Sequence, residues 1–410
     1  MILGGMILKF DFETILDRHG KDALAVDGLG TNPGFTPDKP ENDFNSIPMW
    51  VADMSFATAP SIISAIADRL NHPLFGYFNL TDEYFNAIID WQKIQNDVEN
   101  LKPEHIGYEN GVLGGVISAL NVLCSKGDNI LIHSPTYVGF EMIAQNNGFK
   151  LVHSPLIRDE KNIWRMNFAD MEQKIATNKI HTAIICSPHN PCGRVWDKNE
   201  LEQFIDLCKK YDVFIISDEI WSDLIFSGHK HIPTQQINDY ARENTVSFYA
   251  PSKTFNLAGL VGSYHIIYNR WLKDRIEKES SLSHYNSPNV LSMHALIGGY
   301  SEQGREWLHE LNQVLEKNSM YVFEYITEHF HGIKVSKSQG TYMLFIDCEE
   351  FCSEKNISHE DLLKLGWSKG ITWHDGKIFY SPNSFRLSLA IPFKLVEEAC
   401  SRMDKFIFNA

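Results

Sequence analysis

The sequence predicts an α/β fold: a large domain on a mostly parallel sheet, followed by a smaller α+β domain. From about residue 105 onward, short apolar runs alternate with segments at helical spacing, the pattern of strands joined by crossover helices. At 410 residues the chain exceeds one simple core and suits two domains. Its 43 % hydrophobic content is ordinary for a folded protein. The expected division is an arm with part of the small domain over 1–60, the large domain over 61–295 and the small domain over 296–410.

Taken in order, the first fifty residues, with DGLGTNPGFTPDKPEND, read as a loop-rich arm. Met49 to Ala52 reads as a short strand ending at Asp53. Ile62, Ile63, Ile66 and Leu70 repeat at helical spacing, and Thr81 or Asp82 caps a helix running through Trp91. GYENGVLGGVISALNVLC reads as a glycine-bearing turn entering a helix. DNILIHSPTY, HTAIICSPHNPCGRVW and VFIISDEIWSDLIF each read as strand then loop. VGFEMIAQNNG and NELEQFIDLCKKYD are the helices between them. A helical region, WLKDRIEKESSLSH, is expected to lead out of the large domain. GIKVSKSQGTYMLFIDC, FRLSLAIP and a terminal helix make the small one.

The net charge of −15 argues against a nucleic-acid backbone partner. Seven cysteines without a CxxC pair suggest a reducing, cytoplasmic setting. The apolar N-terminus has no basic start and no cleavage site, so neither a leader nor a membrane span is expected. His229 and His231 form an HxH pair with no evident third ligand, so no metal is expected. Cys192 reads as a small buried thiol. Trp50 and Asp53 fit either a substrate mouth or the packing of the arm.

In open parallel sheets, ligands bind outside the carboxyl ends of the strands. That rule selects Tyr137, His189, Asn190, Asp218, Ser252 and Lys253. Lys253 follows the strand-like run Thr245–Tyr249 and has apolar residues on both sides. Such surroundings favour a neutral amine able to attack a carbonyl, although an exposed lysine at a loop lip fits as well. Asp218 fits a helix cap or a site carboxylate, and Asn190 a turn or a site donor. Arg194 fits a surface charge. Arg386 lies among apolar neighbours, where a guanidinium needs an anionic partner.

Together, SPHNPCGRVW, SDEIWSDLIF, APSKTFNLAGL and FRLSLA resemble, in that order, the fold-type I pyridoxal 5′-phosphate enzymes of the aspartate-aminotransferase superfamily. IPMWVADMSF, HPLFGY and FSGHKHIP add a closer resemblance to its cystathionine β-lyase-like, C–S lyase branch of the class I/II aminotransferases. The resemblance implies a large-domain sheet of seven-stranded type. It also implies that Lys253 holds the cofactor covalently and then moves the substrate Cα proton. By the same resemblance Asp218 pairs with the pyridine nitrogen, Asn190 donates to the phenolic oxygen and Tyr137 stacks on the ring. Gly111, Val112, Leu113 and Ser252 hold the phosphate. Tyr77 reaches the phosphate of a neighbouring subunit in a homodimer whose sites are shared. Arg386, with Asn190, grips the substrate α-carboxylate. Three positions depart from the superfamily pattern: Trp221 stands where tyrosine or histidine is usual, Ala250 where a serine or threonine is common, and Val261 where a basic residue is common. The expected activity is a C–S β-lyase on cystathionine or a cysteine S-conjugate, releasing pyruvate, ammonia and a thiol. The alternative is an aminotransferase of an L-amino acid.

Overall fold

The computed structural model describes residues 8–282 and 285–409. The expectation that the first seven residues form neither leader nor span lies outside the described residues, as do Ser283 and His284 of the WLKDRIEKESSLSH run. The chain divides into two units. The larger comprises Pro60–Ser301 with the short return Gln339–Thr341, and the smaller comprises Met1–Ala59, Glu302–Ser338 and Tyr342–Ala410.

The main sheet of the larger unit has seven strands: β1 (Ile106–Asn110), β2 (Asn129–Ser134), β3 (Lys150–Pro155), β4 (Thr182–Cys186), β5 (Phe214–Asp218), β6 (Thr245–Tyr249) and β7 (Gly262–Ile266). Their spatial order is β1-β7-β6-β5-β4-β2-β3. The neighbours from β3 through β2, β4 and β5 to β6 pair in parallel, while β7 runs antiparallel to both β6 and β1. β1 therefore points the same way as β6, and the start of β7 lies at the edge where the other strands end. All five residues of β4 and of β6 are buried, as expected of strands covered on both faces. The helices Val112–Leu123, Val138–Asn146 and Lys198–Lys210 connect these strands. The last is opened by a capping box in which Asp197 accepts the Glu200 amide at 3.0 Å.

In the smaller unit, β8 (Lys334–Val335), β9 (Met343–Asp347), β10 (His374–Asp375) and β11 (Ser384–Ser388) form an antiparallel sheet ordered β8-β9-β11-β10. Its core gathers Val322 and Ile326 of the helix Glu302–His329, Val396 of the helix Phe393–Met403, and Leu344, Trp373 and Phe385.

Three readings need correction. Met49–Ala52 is irregular rather than a strand. Pro48 has no amide to donate, and the Met49 amide turns to the Thr372 hydroxyl at 3.0 Å. The helix Arg270–Leu282 does not lead out of the larger unit. Leu272, Ile276 and Ser280 are its buried residues, it packs on Val112–Leu123, and the unit continues to Ser301. GYEN is the strand β1, not part of a turn; β3 and β7 were likewise not foreseen. Among the described residues, no helix is long and apolar enough to cross a membrane.

Candidate active site

The ends of four neighbouring parallel strands, β2, β4, β5 and β6, deliver the candidate side chains to one sheet edge. Tyr137 follows β2 and Asn190 follows β4. Asp218 closes β5, and Lys253 lies in the single helical turn Pro251–Thr254 after β6. Register fixes the level, since Asp218 stands opposite Cys186 of β4 and Phe248 of β6.

Asp218 is buried, and burial pushes its carboxyl up to about 7, opposed by the Ile220 amide, which donates at 3.1 Å, and by the charge of Lys253. The Ile220 bond makes Asp218 the first residue of an Asx-type turn rather than a helix cap, because residues 220–223 form a turn and no helix follows the strand. Its buried place beside the charge of Lys253 is what the site-carboxylate reading requires. Lys253 Nζ lies 5.8 Å from the centroid of the Trp221 ring, within reach of a cation–π attraction. Trp221, the departure from the usual pattern, therefore packs against the lysine.

Beneath these groups is a polar support that sequence reasoning missed. Ser217 and Glu219 share one face and Asp218 takes the other, because side chains alternate along a strand. Glu219 accepts from Ser217 Oγ at 2.9 Å, the Thr234 amide at 3.1 Å and Tyr249 Oη at 2.7 Å, and meets His231 Nε2 at 2.8 Å. Burial alone would raise its carboxyl, but His231 and these hydrogen bonds hold it below the usual range. His231 is thus engaged with Glu219 through Nε2. Asp223, also buried, accepts from Thr254 Oγ1 at 2.7 Å and Trp91 Nε1 at 3.0 Å, so it anchors the residue next to Lys253. Three carboxylates within the stretch SDEIWSD were the available signal.

Arg194 is not a surface charge. It is buried and donates to Glu200, to Trp164 O at 3.0 Å and to Gln339 Oε1 at 2.6 Å. The backbone turn beside it closes through the His189 amide on Arg194 O at 2.8 Å, so Arg194 fixes the loop that carries Asn190. His189 Nε2 lies 2.8 Å from Pro135 O and must donate to it, tying the Asn190 loop to the Tyr137 loop. Burial lowers His189 to about 4, which keeps it a neutral donor. Tyr137 precedes the helix Val138–Asn146 and lies close over it: a Cβ on Gly139 would fall 2.4 Å from Tyr137 Cε1. Cys192 is buried, and burial pushes its thiol up.

At the end of β1, Gly111 caps the helix Val112–Leu123 with φ +85°, a conformation that suits glycine. The first amides of this helix have no partner within it and form an anion-binding end. A Cβ on Gly111 would lie 3.8 Å from Val261 Cγ1, so Val261 borders this turn. Val261 itself is half exposed, with φ +67°, an outlier for a β-branched residue. Ser252 is partly buried, and Ala250 is buried at the cap of its turn without a side-chain hydrogen bond. Tyr77 is fully exposed in the loop after the helix Pro60–Leu70, as are Leu74 and Phe75 to a lesser degree.

Arg386 belongs to the smaller unit. It lies on β11 opposite Phe345 and His374, is buried, donates from Nη2 to Trp50 O at 2.8 Å, and stacks over Phe379 at 4.4 Å. Trp50 packs beneath it as part of the arm. Asp53 pairs with Arg18 at 2.5 Å.

A parallel sheet with a lysine, a buried aspartate, an asparagine and a tyrosine at one edge defines a class of enzyme, and the comparisons agree. The family model for aminotransferase class I and II matches residues 47–403. The chain belongs to that family, whose members depend on pyridoxal phosphate. It is similar to cystathionine beta-lyase PatB of Bacillus subtilis, at 30 % identity over 87 % of this chain and 89 % of that one. Protein MalY of Escherichia coli is 30 % identical over 92 % of this chain and 94 % of its own. The crystal structure of cystalysin from Treponema denticola, which contains pyridoxal 5′-phosphate, superposes with a TM-score of 0.88 at 30 % identity, covering 98 % of each chain.

The residues fit this cofactor. A fully buried carboxylate pushed to about 7 suits a cationic ring nitrogen that restores its charge. The glycine turn at Gly111 offers amides to a phosphate.

Proposed function

We propose that this protein is a pyridoxal-phosphate-dependent C–S β-lyase acting on cystathionine or a related cysteine S-conjugate. The observation that carries the reading is the meeting of Lys253 and buried Asp218 at the sheet edge, in a chain matched over most of its length by cystathionine β-lyase PatB. When bound, pyridoxal phosphate supplies an electron sink that acidifies the substrate Cα–H bond.

The chain's residues then divide the work. Lys253 would hold the cofactor through its ε-amino nitrogen and, as a free amine, would take the substrate Cα proton on that nitrogen. Asp218 keeps the ring nitrogen protonated. Asn190 donates to the phenolic oxygen, and Tyr137 covers the ring face. The amides of Gly111, Val112 and Leu113, with the Ser252 hydroxyl, receive the phosphate. Arg386, assisted by Asn190, receives the substrate α-carboxylate through two parallel N–H bonds. The Cβ–S bond breaks with its electron pair leaving on sulfur, which takes up a proton as the thiol. The remaining three-carbon enamine hydrolyses to pyruvate and ammonia.

Tyr77 is assigned to the cofactor phosphate of a second subunit in a homodimer. Its exposure beside Leu74 and Phe75 supports that assignment. A cytoplasmic setting is supported by seven cysteines that are all free thiols.

The second reading is an aminotransferase. It is favoured by the likeness to a pyridoxal-phosphate-bound putative aminotransferase from Clostridium difficile, with a TM-score of 0.89 at 33 % identity over 96 % of this chain. Incubation with L-cystathionine separates the two. Release of pyruvate and free thiol, lost in Lys253→Ala, supports the lyase. A keto acid that retains the substrate's sulfur, with its amino group passed to an added keto acid, means the aminotransferase. Absence of any cofactor absorption after adding pyridoxal phosphate overturns both.

A further inference from the structure

In the smaller unit, Cys348, Cys352 and His359 bring one ligand atom each to within 4.8 Å of one another. They come from consecutive helices. Cys348 immediately precedes the helix Glu349–Lys355, Cys352 lies one turn further on, and His359 opens the helix His359–Ser368. Cys348 Sγ is 3.4 Å from His359 Nδ1. The other ring nitrogen, Nε2, is 3.2 Å from Asp375 Oδ1, which also accepts the Lys377 amide at 2.8 Å.

The carboxylate can only accept, so Nε2 carries the ring proton and Nδ1 turns its lone pair toward the sulfurs. A histidine whose far nitrogen donates to a carboxylate is oriented as metal-binding histidines are. Two sulfurs and an imidazole select a soft or borderline cation over magnesium or calcium. Cys348 is buried, but Cys352 is only partly so, and the His359 and Asp375 side chains are 15 % and 26 % exposed. An ion therefore has a path from solvent. The thiol of Cys348 also donates to Asn383 O at 3.1 Å, a bond that metal binding replaces.

We propose that Cys348, Cys352 and His359 form a zinc-type cation site, with Asp375 orienting the histidine and water completing a tetrahedral shell. Binding exchanges two thiol protons, released to solvent, for one divalent ion, with no change of oxidation state. The site uses none of the residues assigned to the lyase reaction. Its C-x3-C spacing carried no signal in the sequence, because the third ligand and the orienting carboxylate arrive only through the fold.

The test is equilibrium dialysis of the reduced holoenzyme against Zn²⁺ buffered by a chromophoric chelator. One zinc per chain is expected, with affinity reduced at least about a hundredfold in Cys352→Ser and His359→Gln, and about 10- to 100-fold in Asp375→Asn. Circular dichroism checks that each variant is folded, and lyase turnover of Cys352→Ser should equal that of the wild type. Failure of the wild-type protein to take up zinc overturns the proposal. So does zinc binding that survives both Cys352→Ser and His359→Gln, which would place the ion elsewhere, as at Cys124, Asp128 and His181. Neither result bears on the lyase reading, which is measured by product release.

Discussion

Replacing Asp218 by asparagine removes a titrating group with little change of volume, and its effect on stability follows from burial. The carboxyl is pushed from 3.8 up to about 7, so the folded chain holds this proton more tightly than the unfolded one. The stability gained is complete below about pH 4 and is lost as pH rises through about 7. At about 1.4 kcal/mol per tenfold change in affinity, the rise corresponds to about 4 kcal/mol. Urea unfolding of cofactor-stripped wild type and Asp218→Asn should therefore diverge. Wild type loses about 4 kcal/mol relative to the variant between about pH 4 and pH 8. Other titrating groups are common to both proteins and cancel in the difference. Saturating pyridoxal phosphate should reverse the order at the upper pH, because a cationic ring nitrogen then pairs with the wild-type carboxylate. Parallel stability profiles across this range in the stripped proteins would refute the assignment of Asp218 as a buried, strained acid.

Gly111→Ala forces an L side chain into φ +85° and should destabilise the turn by about 1–3 kcal/mol. A cofactor titration followed by absorbance should show weaker retention, since the same turn presents the phosphate amides. Arg194→Ala takes one of two cationic partners from buried Glu200, leaving Arg165 at 3.1 Å, and should lower stability by about 1–3 kcal/mol in urea unfolding. Arg386→Lys keeps the charge but loses the two-pronged geometry, so KM for the amino acid should rise roughly 10- to 100-fold with a smaller effect on kcat.

What the sequence disclosed followed from simple periodicity. The runs that became β2, β4, β5 and β6 are mostly apolar because nearly all their residues are buried, and the site residues come at or soon after their ends. Strands β1 and β7 were hidden for the opposite reason. Glu109 lies within β1 and is buried where His265 of β7 meets it at 2.7 Å and Tyr285 Oη donates to it at 3.1 Å, partners 156 and 176 residues away in sequence. A polar residue in a short run looks like a turn until its partner is known. Arg194 was misjudged in the same way, since Glu200 neutralises it across the first turn of the next helix and Gln339 reaches it from a distant segment. Motif order nominated Lys253, Asp218, Asn190 and Arg386 as site residues. Glu219 and Asp223 belong to the same motif, yet only the hydrogen bonds of the fold reveal their support of the site.

The neighbouring acids Asp218 and Glu219 differ in their task solely through the parity of their positions. One faces the lysine, and the other is enclosed by hydroxyls, an amide and a histidine on the far side of the sheet. A single-residue insertion or deletion within β5 would swap the faces on which the two acids stand. The lysine would then face a longer acid parted from its donors, while the hydroxyl-lined hollow would receive one too short to span it. Length variation in this strand should therefore be far less tolerable than substitution, and a deletion scan across Phe214–Asp218 would extinguish turnover at every position, whichever residue is lost.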